Sequence, residues 1–137
     1  MRIGVAGSMQ FTEQMMELCE RLERMGHSAF MSKFGPHFIG KTDEEKEKIK
    51  LEQKYDHDAI REFWKPMKNS DALLVANYTK HGIKNYIGGN VFLEMGFAHV
   101  LNLKVFLLNP IPKMPYYETE IIAMKPIIIN GDLSKIR

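Results

Sequence analysis

The 137-residue sequence predicts an α/β protein, a three-layer, doubly wound sheet of about five parallel strands with helices on both faces. Three observations carry that expectation. Short apolar runs recur at RIGVA (2–6), DALLVAN (71–77), KVFLLN (104–109) and PIIIN (126–130), as strands buried on both faces require. Stretches of helical period separate them. The length is that of one domain, residues 1–137, able to bury an ordinary core.

In chain order, RIGVA runs into Gly7-Ser8, a strand followed by a tight turn. FTEQMMELCERLERMG (11–26) then places Phe11, Met15, Leu18, Leu22 and Met25 on one helical face, and Gly26 supplies the stop. SAFMS (28–32) reads as a second strand. Thr42 and Glu45 form a capping box that opens a helix through KTDEEKEKIKLEQK (41–54), whose alternating charges read as a solvated face. A further helix covers about 58–67, with Pro66 ending or kinking it.

After the strand DALLVAN, the loop YTKHGIKNYIGG leads to Asn90, a suitable N-cap, and to the apolar helix NVFLEMGFAHVLN. KVFLLN is the next strand. A proline-rich loop with one short helix precedes the last strand, PIIIN. Short strands in a small chain favour a flavodoxin-like or Rossmann-like order, in which ligands bind beyond the carboxyl ends of the strands where the order reverses.

Composition narrows the function classes. A net charge of +2 is too small for a nucleic-acid or membrane surface, and no apolar run approaches a membrane span. The N-terminus lacks the basic start and long apolar stretch of a secretory signal. Cys19 is alone, so no disulfide framework or thiolate cluster forms, and a reducing cytoplasm is the expected setting. The five histidines show no metal-ligand spacing, and the residues of Asp56-His57-Asp58 point apart on a helix. The expectation is therefore no metal and no cofactor.

The switch-point rule collects Gly7, Ser8, Asn77, the 78–90 loop and Asn109 at one sheet edge. Glu94, the single acid in GGNVFLEMGFAHVLN, shares a helix face with Val91, Phe97, Ala98 and Leu101, and a helix apolar on all sides hydrates it poorly. Such an acid is either a first-turn carboxylate favoured by the helix dipole or a functional group beside a ligand. Gly88-Gly89 lets a ligand approach the backbone closely, while Lys80, His81 and Lys84 give the loop a positive charge suited to phosphate. Asn77, an amide where a receiver domain needs a phosphorylatable aspartate, argues against that class. The first loop also lacks the hydroxyl-rich pattern of a flavin-binding electron carrier.

Gly7-Ser8 after the first strand, Ser70-Asp71 opening DALLVAN, and Gly-Gly-Asn-x-x-x-Glu94-x-Gly96-x-Ala98 followed by KVFLL resemble the nucleoside 2-deoxyribosyltransferase superfamily. Its members include deoxynucleoside monophosphate N-glycosidases. The resemblance spans Met1 to about Asn109 and implies that Glu94 attacks the anomeric carbon of a ribosyl or deoxyribosyl group. It also implies a small-molecule nucleoside or nucleotide as partner, and a homodimer or higher homo-oligomer whose neighbour completes the pocket. Gly7, Ser8, Gly88, Gly89 and Asn90 would line the sugar or phosphate site. Asn77, Lys80 and Lys84 complete the candidate binding set.

Departures from the family are specific. Gly4 stands for a first-strand tyrosine, Gln10 for the arginine of the monophosphate hydrolases, and Gly88 for a serine. The position of the family's assisting aspartate falls on Phe63, which leaves Asp58 to fill that role if the helix is shifted. These departures motivate the rival expectation of a non-catalytic nucleotide-binding module on the same scaffold.

Overall fold

The computed structural model describes all 137 residues. Its strands are β1 (Arg2–Ala6), β2 (Ser28–Phe30), β3 (Ala72–Val75), β4 (Lys104–Leu107) and β5 (Ile127–Ile128), all parallel in the order β2-β1-β3-β4-β5. Of the two orders expected, this is the flavodoxin-like one, with its switch point between β1 and β3. Its helices are α1 (Thr12–Arg24), α2 (Asp43–Asp56), α3 (Ala59–Met67), α4 (Gly89–Val100) and α5 (Glu118–Ala123), with 3-10 turns at Met9–Phe11, Gly35–Phe38 and Leu133–Lys135.

Alternation along the strands divides the core in two, because successive side chains point to opposite sheet faces. Ile3, Val5, Ala72, Leu74 and Phe106 pack with Met15, Leu18 and Leu22 of α1 and with the C-terminal turn. Leu73, Val75, Val105 and Leu107 pack on the other face, against α3, α4 and α5 through Phe63, Met67, Val91, Met95 and Ile121. Each fully buried Leu, Met or Phe in these layers contributes about 1.5–3 kcal/mol relative to exposure. Both faces are therefore covered, as uninterrupted apolar strands demand.

Several local expectations change. Phe11 leaves the buried face of α1 because Ser8 caps a 3-10 turn first, and its ring packs on Tyr78 at 5.1 Å. Met25 lies beyond the helix and is 45% exposed, while Gly26, at φ 94°, ends it. The capping box forms as read, Thr42 Oγ1 accepting from Glu45 N and Glu45 Oε1 accepting from Thr42 N. Yet α2 is not a wholly solvated face. Lys46 and Gln53 are buried, and Lys46 Nζ donates to Gln10 O at 3.1 Å.

α4 begins at Gly89 with Gly88 as its N-cap, so Asn90 lies inside the first turn. Asn90 is not the cap because its amide is turned along the helix to Glu94 one turn on. Nor is α4 apolar on all sides without exposure: Leu93 is 45% and Val100 is 76% exposed. No helix is long and apolar enough to cross a membrane.

Candidate functional site

A cavity opens at the carboxyl ends of β1 and β3, at the switch point of the sheet. Its volume is ≈ 170 Å³, more than ten times the roughly 10–15 Å³ that one water requires. Three segments build its walls. Gly7 and Ser8 continue β1, Gly88 to Asn90 and Glu94 come from the start of α4, and Lys50, Gln53 and Lys54 project from α2. Lys80 of the β3–α4 loop joins them.

Glu94 is 8% exposed, and its two oxygens differ. Oε1 accepts from Asn90 Nδ2 at 3.0 Å. Oε2 has no protein partner, and Gln53 Nε2 is the only side-chain polar atom that is both enclosed and unpartnered, so Oε2 is open to the cavity. Burial pushes the Glu94 carboxyl up to about 8, against the opposing pull of Lys54 and then the Asn90 hydrogen bond. That shift favours the protonated acid near neutral pH. Glu94 lies in the second turn of α4, so the helix dipole is not what holds it there.

The glycines have distinct physical reasons. A Cβ at Gly7 would sit 2.9 Å from Met15 Sδ and 3.1 Å from Ala76 O, so Gly7 is required by packing between β1, α1 and β3. At Gly88 a Cβ would crowd the Tyr86 ring at 3.1 Å. At Gly89 it would meet nothing within 4 Å, which leaves this backbone open at the cavity wall.

Cations dominate the opposite side. Lys80 Nζ donates to Ser8 Oγ at 2.8 Å and has no carboxylate in ion-pair range. Lys54 also has no ion-pair partner, whereas Lys50 pairs with Glu47 at 2.7 Å. Burial, and then the neighbouring Lys50 charge, hold Lys54 and Lys80 below the usual ammonium range.

Three expected residues fall outside this assembly. Asp58 is exposed, caps α3 from a left-handed conformation (φ 48°), and pairs with the Arg61 guanidinium at 2.8 Å. Because α3 starts at Ala59, that carboxylate is spent on the helix end and does not line the cavity. Asn77 is buried as a clamp: Oδ1 accepts from Asn109 N at 2.9 Å, and Nδ2 donates to Asn109 O and Pro110 O. It ties the end of β3 to the end of β4 and has no place in the cavity wall. Lys84 is exposed and also outside it.

Lys50, Gln53 and Lys54 escaped the sequence reading. Their signal was spacing: positions i, i+3 and i+4 share one helix face, and the charged segment hid them among neighbours that are solvated. No group of three or more His, Cys, Asp or Glu side chains is placed to hold a metal ion. Cys19 lies apart from the cavity, its thiol pushed up to about 11 by burial, then by Glu23 and Glu20.

No protein-family model matches the chain, and no curated protein does. Among solved structures, the chain is similar to a CMP N-glycosidase of Clostridium botulinum, BcmB, at 18% identity and a TM-score of 0.48, over 95% of this chain and 90% of that one. A similarity at this level assigns neither family nor activity. The class of this chain, a three-layer α/β sheet, follows from its own strands and helices.

Proposed function

We propose that this protein cleaves or transfers the N-glycosidic bond of a nucleoside or nucleoside 5′-monophosphate, with Glu94 as nucleophile. The observation that carries the reading is a buried carboxyl with one oxygen held by Asn90 and the other facing a ligand-sized cavity. In the reaction, ionised Glu94 Oε2 forms an ester bond to the anomeric carbon as the carbon–nitrogen bond breaks. The base leaves with the bonding pair and takes up a proton. Water, or the nitrogen of a second base, then attacks the same carbon and frees the carboxylate.

Asn90 orients the carboxyl group, and the open backbone at Gly89 leaves room for the sugar beside it. Only the ionised acid is a nucleophile, so with its carboxyl near 8 the rate of base release rises with pH through that value. The test is a panel of nucleosides and 5′-monophosphates assayed for free base, with wild type and Glu94→Gln. Base release by wild type that disappears in the variant is expected. Release that persists in the variant contradicts the role given to Glu94.

A second reading is a non-catalytic nucleotide-binding module: burial pushes the Glu94 carboxyl up to about 8, which favours the protonated acid, a hydrogen-bond donor rather than a nucleophile. That reading predicts thermal stabilisation by nucleotides with no free base at any pH. The proposal also retains one domain, a cytoplasmic setting and a homo-oligomer. Exposed Leu93 and Val100 on α4, Ile122 on α5 and the fully displayed Tyr116 supply apolar surface for a second copy. Light scattering that reports a monomer at assay concentration removes the oligomer.

A further inference from the structure

The cavity has an excess of positive charge that the protein itself does not neutralise. Lys50, Lys54 and Lys80 all line it, and Glu94 is the single carboxylate among its lining residues. Lys50 is paired with Glu47 at 2.7 Å. Lys54 and Lys80 are half-buried and have no carboxylate in ion-pair range; the one polar partner of Lys80 Nζ is the Ser8 hydroxyl. Beside them, Gln53 is 6% exposed and its Nε2 is the one enclosed side-chain donor or acceptor without a partner. Uncompensated donors and cations gathered at a cavity are costly unless a ligand completes them.

We infer that Lys54 and Lys80, with the Ser8 hydroxyl and the paired Lys50 behind them, form a phosphomonoester subsite, so that the substrate is a 5′-phosphorylated nucleoside rather than a free one. This rests on the N-glycosidic reading given above. Charge decides the number of phosphates. A phosphomonoester carries about −1.5 to −2 near neutral pH, which two unpaired ammonium groups match. A longer polyphosphate would leave uncompensated negative charge. The depression of Lys54 and Lys80 agrees: burial first, and then the Lys50 charge, disfavours both ammonium groups, and a bound anion would offset both effects.

The inference also gives α2 a job. Its main packing partners are α3 and the 3-10 turns at Met9–Phe11 and Gly35–Phe38, and buried Lys46 fastens it to the first of these through Gln10 O. One face of α2 therefore meets the Ser8 turn with Lys50, Gln53 and Lys54. These lysines bring cationic donors to the cavity from an element separate from the β1 turn.

The test measures binding of ribose 5-phosphate and of ribose by calorimetry, on wild type and on Lys54→Met, Lys80→Met and Lys84→Met, alongside kcat/KM for a nucleoside and its 5′-monophosphate. Ribose 5-phosphate is expected to bind wild type and ribose not to bind at the same concentration. Lys54→Met and Lys80→Met should each weaken that binding by about tenfold or more, and exposed Lys84→Met should not. Thermal melts of the unliganded variants establish that each is folded, and Lys80→Arg, which keeps the charge, should restore binding. Equal binding of ribose, unchanged binding in both cavity variants, or tighter binding of a nucleoside triphosphate than of the monophosphate overturns the subsite. Ribose 5-phosphate binding without base release from any nucleotide overturns the glycosidic reading instead. Equal kcat/KM for nucleoside and nucleotide, in wild type and variants alike, overturns the subsite and spares the chemistry.

Discussion

α4 and α2 face each other across one cavity, and they are built on opposite terms. α4 is apolar, packs on the sheet through Val91, Met95 and Ala98, and brings one acid to the cavity with its charge suppressed by burial. α2 is charged, packs off the sheet, and brings cations with a single enclosed amide. A rigid core helix is suited to hold a reacting atom in place, because its position is fixed by close-packed neighbours. A peripheral charged helix is suited to recognise a charged substituent, because its ammonium groups keep contact with solvent until an anion displaces it.

The largest effect expected from breaking this contrast is at Glu94. Glu94→Gln keeps the shape and the Asn90 contact but removes the nucleophile, and base release should fall by about 10³-fold or more in a steady-state assay. The same variant exposes the cost of burying the acid. Because the folded carboxyl is raised to about 8 from 4.5, the folded protein binds more protons than the unfolded chain between these values. Wild-type stability then falls relative to Glu94→Gln as pH rises across that window, by up to about 1.4 kcal/mol per pH unit. Below about 4.5 the two should run parallel. Chemical denaturation of both proteins at pH 5, 7 and 9 measures it.

On the α4 side of the sheet, Asn77→Ala removes a buried clamp and leaves the Asn109 N–H without its acceptor. A loss of about 1–3 kcal/mol of stability is expected, read from the urea midpoint. On the α2 side, Thr42→Ala removes the capping box and should cost about 1 kcal/mol, with nucleotide binding weakened in step because the lysines ride on that helix. The smallest effect belongs to Asp58→Asn. It loosens an exposed pair with Arg61 and should leave base release at the wild-type rate, which a reaction using Asp58 as proton donor would not tolerate.

The same contrast explains what the sequence made legible. The sheet was readable because strands buried on both faces cannot hide: RIGVA became a strand at full length, while DALLVAN and KVFLLN are shorter, the end of β3 being tied through Asn77 to Asn109 beyond β4. The position of Glu94 was readable because one acid in an apolar helix is conspicuous. Asn77 and Asp58 misled because polar residues at the ends of strands and helices serve ligands and chain ends alike, and only geometry tells which; here they clamp β4 and cap α3. Lys50, Gln53 and Lys54 were hidden for the opposite reason. In a segment where ten of the fourteen residues 41–54 are charged, composition carries no sign of which face is turned inward, and that depends on Lys46 meeting Gln10 O far away in sequence.

Peptide mass spectrometry of the protein quenched during turnover of a 5′-monophosphate tests the role of Glu94 most directly. A glycosyl adduct on the peptide containing Glu94, lost in Glu94→Gln, is the predicted result. Free base accumulating with no adduct at Glu94, or with the adduct on another residue, contradicts it.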